Sequence, residues 1–384
     1  MTKTNQKIPV GWSVKKLGEI GTFVSGGTPD TEKPEYWNGD IVWLTPSEIT
    51  KLKTRFVSDS ERKITKLGLK NSSAVLLPKN SLIICTRATV GDCCINTKEV
   101  STNQGFKNLI PNNNCVDFLY YLISIHKNDL IRRACGSTFL EISKHDIEKL
   151  KYVFPPLAEQ EKIAEILSCW DEGIEKLSAL IEKKKLQKKA LMQKLLTGKH
   201  RLKGFSTPWH EVKLGELCNI TTGKLDANAM VENGKYVFFT CARETFLIDT
   251  FAFDEEALLI SGNGANVGYI HYYNGKFNAY QRTYVLTKFI QNIFFIKYYL
   301  DKFLSMRIEK EKKEGNTPYI VLDTLTKMGL YIPSDIAEQK AIADILSKAD
   351  AEIELLNKKL AAFNLEKKAM MQKLLTGQIR VKVN

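Results

Sequence analysis

Residues 158–202 read AEQEKIAEILSCWDEGIEKLSALIEKKKLQKKALMQKLLTGKHRL, and residues 337–381 read AEQKAIADILSKADAEIELLNKKLAAFNLEKKAMMQKLLTGQIRV. The two stretches align without a gap at a constant offset of 179, with roughly half of the positions identical. A repeat of this length governs the architecture before any single motif does. In the first copy Ile163, Leu167, Trp170, Ile174, Leu177 and Ile181 follow alternating steps of four and three. The second copy places Ile342, Leu346, Ala349, Ile353, Leu356 and Leu360 at the matching positions. This is the a/d seam of a coiled-coil pair. Gly198 and Gly377, each directly after Leu-Leu-Thr, stand where a helix stops. A helix of about 40 residues spans roughly 60 Å. Two separate amphipathic helices, each packed on its own domain, are the simpler alternative.

Working outward, residues 204–332 repeat residues 1–154 in outline. Lys16-Leu17-Gly18-Glu19-Ile20 matches Lys213-Leu214-Gly215-Glu216-Leu217 at offset 197, while Val90-Gly91 and Gln104 match Val267-Gly268 and Gln281 at offset 177. Gly136 matches Gly315 at 179. The order is therefore domain, helix, domain, helix: 1–154, 155–203, 204–332 and 333–384. Within the first domain, residues 12–20 predict a lead-in and a short helix. The apolar runs 41–44, 74–77 and 81–85 predict buried strands, and 116–133 carries helical periodicity. Pro155-Pro156 closes this domain, and the long helix begins at once.

Connectivity predicts how the helices pair. Compact domains keep their termini close together. A parallel pair would require the second domain to bridge the full ~60 Å from one helix end to the other helix start. An antiparallel pair requires only a reversal at one end. The expected fold is thus α+β: two mixed α/β domains separated by an antiparallel coiled coil, with a pseudo-twofold axis near Leu177 and Leu356.

The chain carries a formal charge of +13, which points to a polyanionic partner, nucleic acid before an acidic membrane. The charge is uneven: +7 over 1–154, +4 over 155–203, −1 over 204–335 and +3 over 336–384. If the second domain binds DNA, it does so with a local basic face. The eight cysteines form no CxxC pair and have no ligand-spaced histidine, so neither a zinc site nor a disulfide framework is expected. No signal-peptide pattern opens the chain. The long apolar run 289–300 is broken by Gln291, Asn292 and Lys297. A reduced, soluble, cytoplasmic protein without a membrane segment is the expectation.

The motifs together resemble one known family, the DNA specificity subunits of type I restriction–modification systems. The resemblance covers essentially the whole chain. It rests on Pro156-Leu157-Ala158-Glu159-Gln160 with Ile163-Ala164, on the copy Ala337-Glu338-Gln339 with Ile342-Ala343, and on the twin Gln-Lys-Leu-Leu-Thr-Gly ends. Trp37-Asn38-Gly39-Asp40-Ile41 and Asn103-Gln104-Gly105-Phe106 support it. It implies two target-recognition domains, each reading one half of a bipartite sequence in double-stranded DNA. It implies no catalysis and no cofactor on this chain. Two adenine methyltransferase subunits using S-adenosylmethionine would dock on it, and restriction subunits using ATP and Mg would join. The alternative function is a self-contained DNA methyltransferase or nuclease. Against it, Phe154-Pro155-Pro156-Leu157 lacks the side chain that would bond a flipped adenine, and no phosphate-binding Gly-rich loop is present.

The first domain keeps the family's Gly-Gly-Thr-Pro pattern in Gly26, Gly27, Thr28 and Pro29 and its Asn-Gln pattern in Asn103 and Gln104, and Ser25 joins them as a DNA-binding candidate. The second departs from it, with Thr222-Gly223-Lys224 and Tyr280-Gln281, and Arg282 is a further DNA-binding candidate there. Arg87, between Thr86 and Thr89, is either a base-reading side chain or an exposed salt-bridge partner. Asn263 and Asn266, in a loop of small residues, are either adenine readers or plain turn formers. Arg243 completes the second domain's candidates. Lys51, Lys53 and Arg55 divide evenly between phosphate contact and a solvated face. For Lys188 and Lys367, both on seam positions, snorkelling is the preferred reading over fixing of register. Two readers facing one side of a duplex imply half-sites about one turn, ~34 Å, apart.

Overall fold

A computed structural model describes residues 8–136, 140–311 and 319–383, so Gly315 lies outside the described residues. The chain forms two compact units, residues 1–176 with 360–384, and residues 177–359. Compactness therefore divides the chain inside both long helices rather than at the boundaries of the sequential segments. Antiparallel pairing is the reason, because it gives each domain a stretch of both helices.

In the first unit the incoming strand Ser13–Lys16 pairs antiparallel with the outgoing strand Lys151–Phe154. This pairing brings the ends of the domain together and feeds the chain into the long helix Leu157–Leu195. A five-stranded sheet runs Gly21–Ser25, Lys107–Pro111, Leu82–Ile84, Cys93–Asn96, Phe56–Val57, and a three-stranded sheet runs Lys63–Ile64, Trp37–Leu44, Ser101–Thr102. Strands are indeed found at 41–44 and within 81–85. Residues 74–77 form only an isolated bridge, Leu77 to Val100, because the neighbouring Pro78 interrupts a ladder. Residues 12–20 start as strand and end in a single 3-10 turn, Leu17–Glu19. The helical run 116–133 breaks at His126 into Val116–Ile125 and Lys127–Arg133.

The second unit repeats the device: Trp209–Lys213 pairs antiparallel with Gly329–Pro333. Its six-stranded sheet runs Asn219–Thr222, Thr283–Thr287, Phe253–Ser261, Ile270–Ala279, Tyr236–Phe239, Phe246–Ile248. Strand Phe253–Ser261 alternates at its start and is buried throughout its second half, Ala257–Ser261, which pairs with a neighbour on each side. The second long helix, Ile336–Leu375, follows.

Within each unit the helices run antiparallel. In the first, Ile163 and Leu167 share a core with Leu374 and Leu375, and Trp170 meets Phe363 edge-on at 5.6 Å. In the second, Leu195 and Leu196 share a core with Ile342 and Leu346. Along the seam Ile163, Leu167, Leu177, Ile181, Ile342 and Leu346 are buried, and Trp170, Ile174, Ile353, Leu356 and Leu360 partly so. Lys188 and Lys367 do not snorkel. Lys188 bonds Asp350 at 2.5 Å, and Lys367 pairs with Asp171 at the same offset of 179. A buried tyrosine completes each cluster: Tyr121 donates to Asp171 at 2.5 Å, and Tyr298 donates to Asp350 at 2.8 Å. Burial, then the bond to the carboxylate, holds the Tyr121 phenol well above its ordinary range. Arg55 is no phosphate ligand. It lies inside the first cluster, on Asp117 at 2.8 Å and Asp171 at 3.4 Å.

The repeated Ala-Glu-Gln is explained by what its side chains hold. Arg380 grips Glu159 in a bidentate pair at 2.7 and 2.8 Å, and Trp12 Nε1 donates to the same carboxylate at 2.9 Å. Arg201 grips Glu338 at 2.6 and 2.7 Å, joined by Trp209 at 3.3 Å. Each arginine stands three residues beyond a left-handed glycine, Gly377 at φ 71° and Gly198 at φ 67°. That turn sends the chain back along the start of the partner helix, and a Cβ on Gly377 would strike Pro9. Gln160 accepts from Cys115 N at 3.1 Å and donates to Pro155 O at 3.0 Å. Gln339 repeats this with Asn292 N at 3.0 Å and Pro333 O at 2.9 Å. Each glutamine thereby satisfies one orphan donor at a domain helix start. Arg201→Met is expected to lower the unfolding temperature more than Arg380→Met. Glu338 is fully enclosed, and Arg380 is the more exposed of the two arginines. The reverse order in a thermal melt would refute the reading.

Candidate nucleic-acid interface

In the first domain four separated segments converge on one open concavity of about 420 Å³: Thr45-Pro46-Ser47, Arg87-Ala88 and Asn103-Gln104-Gly105 line it, and Thr28 joins through Gln104. The turn after strand Gly21–Ser25 is pinned from both sides. Gly27 N donates to Thr102 O at 2.9 Å, and Trp43 Nε1 donates to Gly27 O at 2.9 Å. At Gly26 a Cβ would lie 1.9 Å from the Asn103 carbonyl, so only glycine lets the two loops meet. Asn103 closes its own turn, Oδ1 accepting from Gly105 N at 2.8 Å, and leaves Gln104 exposed beside Thr28.

Of the first domain's sequence candidates, Ser25 and Gln104 are exposed, and Thr28, Arg87 and Asn103 are partly so. Gly26 and Gly27 are buried as spacers. Thr86 is a correction: it is fully buried, its hydroxyl donating to Gly105 O at 3.2 Å, so it braces the loop from below. The Thr89 hydroxyl is buried as well. Lys51 pairs with Glu61 at 3.2 Å on the surface. Sequence reasoning missed Thr45, Pro46 and Ser47. The signal was there, since Thr45-Pro46-Ser47-Glu48 is a capping box with proline at the first helical position, its Glu48 carboxylate accepting from Thr45 N at 2.8 Å.

The second domain builds a related surface from different side chains. A Cβ on Gly223 would again stand 1.9 Å from a carbonyl, that of Ala279. Lys224 is exposed beyond it, and exposed Gln281 donates to Asp226 at 2.8 Å. Arg243 is exposed, bonds Asn266 Oδ1 at 3.3 Å and lies 5.1 Å from the Tyr269 ring centre. Asn266 in turn donates to Cys241 O at 3.1 Å. Asn263 bridges to Tyr319, Tyr280 to Leu225, and Arg282 is exposed while its carbonyl receives Gly262 N at 2.8 Å. Burial depresses His271 below the usual imidazole range, against the pull of its bond to the Ala242 carbonyl, so it adds no charge at neutral pH. Among the second domain's candidates, Lys224, Arg243 and Arg282 are the exposed basic residues. Among the described residues, no group of three His, Cys, Asp or Glu could hold a metal ion, and no helix is long and apolar enough to cross a membrane.

The shared glycine contact yields a test. Gly26→Ala and Gly223→Ala are each expected to destabilise their own unit by about 1–3 kcal/mol, the usual cost of overpacking a tight contact. Urea denaturation at unchanged midpoint for either variant would show that the loops move apart freely.

Comparison with known proteins places these features. A family model for the type I restriction modification DNA specificity domain matches residues 9–187 and 207–364. The MjaIX type I restriction enzyme specificity subunit of Methanocaldococcus jannaschii is 27% identical over 98% of this chain and 95% of its own length. Two solved structures share the fold. The type I S subunit from M. genitalium has a TM-score of 0.63 at 19% identity, covering 97% of both chains. A structure from work on complex assembly and conformational transition of the type I R-M system also scores 0.63, at 20% identity, over 97% of this chain and 100% of that one.

Proposed function

The chain belongs to the family of type I restriction–modification DNA specificity proteins, and from that premise we propose that it reads a bipartite target in double-stranded DNA, one domain per half-site. One observation carries the reading: each domain presents a glycine-anchored turn against an Asn-Gln or Tyr-Gln loop, with different polar and basic side chains around it. A common scaffold with divergent contact residues suits two readers of two different sequences. The chain itself is noncatalytic and carries no cofactor in this reading. Two methyltransferase subunits with S-adenosylmethionine and restriction subunits with ATP and Mg perform the chemistry. The whole complex works in the cytoplasm. The duplicated helix pair supports two equivalent docking positions, because the same side chains recur at offset 179.

The test is co-expression with the methyltransferase subunit of its own system, followed by genome-wide mapping of methylated adenines. Two short specific half-sites separated by an unspecified spacer of fixed length are expected. A continuous motif, or none, would overturn the bipartite reading, and methylation by the purified chain alone would establish a self-contained enzyme instead.

A further inference from the structure

The concavity of the first domain is walled mainly by carbon. The Pro46 ring packs so close to Gly105 that a Cβ there would lie 3.0 Å from Pro46 Cγ, and exposed Ala88 also lines the concavity. Arg87, Asn103 and Gln104 stand beside these apolar groups. Ala88 has φ +64°, the left-handed region that glycine enters freely and alanine only at a cost. The corresponding loop of the second domain, 261–266, uses Gly264 at φ +79° with open space where a Cβ would be. The first domain thus keeps a methyl group that its backbone would more easily do without, on an exposed residue that lines the concavity. Strain retained at such a place points to use of the group that causes it.

We propose that this notch receives the 5-methyl group of a thymine in the first domain's half-site. In the major groove the thymine methyl is the one apolar feature of a base edge, and alanine is among the side chains that contact it. The neighbouring O4 of that thymine, or its adenine partner, then falls to the flanking polar side chains. This assignment rests on the reading of the surface as DNA-facing, and it names a base feature there. The second domain, with Gly264, makes no equivalent demand.

The experiment uses the full chain with its methyltransferase subunits and duplexes carrying the mapped target. Each thymine is replaced in turn by deoxyuridine, which removes only the methyl. One thymine in one half-site is expected to lose about fourfold in affinity, the worth of one buried methyl. In Ala88→Gly the left-handed strain is relieved, so thermal stability is expected to be kept or raised. The thymine-to-uracil affinity ratio at that position should fall to about one. Neutral deoxyuridine at every position, a half-site without thymine on either strand, or an unchanged ratio in Ala88→Gly overturns the proposal while the bipartite reading stands. Loss of all sequence-specific binding by the unaltered complex would instead overturn the functional reading beneath it.

Discussion

Asp171→Ala is expected to destabilise the protein by about 3 kcal/mol, the lower end for breaking a buried ion pair. Asp171 is 18% exposed and serves Lys367 and Arg55, which are 19% and 13% exposed. It also accepts from the fully buried Tyr121. Its removal leaves two cations and a phenol to share Ser168 and Asp117. The equivalent Asp350→Ala is expected to cost only about 1 kcal/mol, because exposure screens the pair. Asp350 is 42% exposed and, among the described residues, pairs with one cation, Lys188, besides accepting from Tyr298. Denaturant unfolding of the two variants checks this. Equal losses would show that the added Arg55 and the deeper burial contribute nothing.

Arg87→Ala is expected to weaken binding of one half-site by roughly tenfold to a hundredfold, the worth of about 1–3 kcal/mol for a bidentate arginine contact. The other half-site should be read unchanged. Arg87 lines the concavity with Gln104, while its backbone bridges to Glu141. Truncating the side chain therefore leaves that bridge in place. Methylation mapping of the variant should show one half-site degenerate at a position and the other intact. Uniform loss across both halves would assign Arg87 to the phosphate backbone instead, and no change would remove it from the interface.

Much of the helical frame was legible because its signals are local and periodic. The four-three steps of the seam, the Leu-Leu-Thr-Gly stops and the offset of 179 need no tertiary information. The roles of Glu159, Glu338, Arg201 and Arg380 were not legible. Their partners stand 221 and 137 residues away. Their repetition marked them as shared without saying what they share. Lys188 and Lys367 were misjudged for a related reason: a lysine at a seam position snorkels unless a carboxylate faces it, and Asp350 and Asp171 face it only after the chain has turned round. The candidate interface was legible in outline, through the glycine turns and the Asn-Gln loop. Thr86 shows the limit, since alternation between buried and exposed positions beside a single bridge cannot be read from a turn-rich stretch.

The sequence by itself determined that two related domains alternate with two copies of one seam-bearing helix, because periodicity and self-similarity are properties of a single chain. Chain connectivity added the antiparallel sense. Only the tertiary structure decided which side chains meet. It joined Thr45–Ser47 to Arg87 and Gln104, buried Thr86, and drew Arg55 into the helix cluster. It also gave each domain a portion of both long helices. These outcomes depend on contacts between residues distant in sequence, where burial and partner geometry, not local pattern, set the free energy.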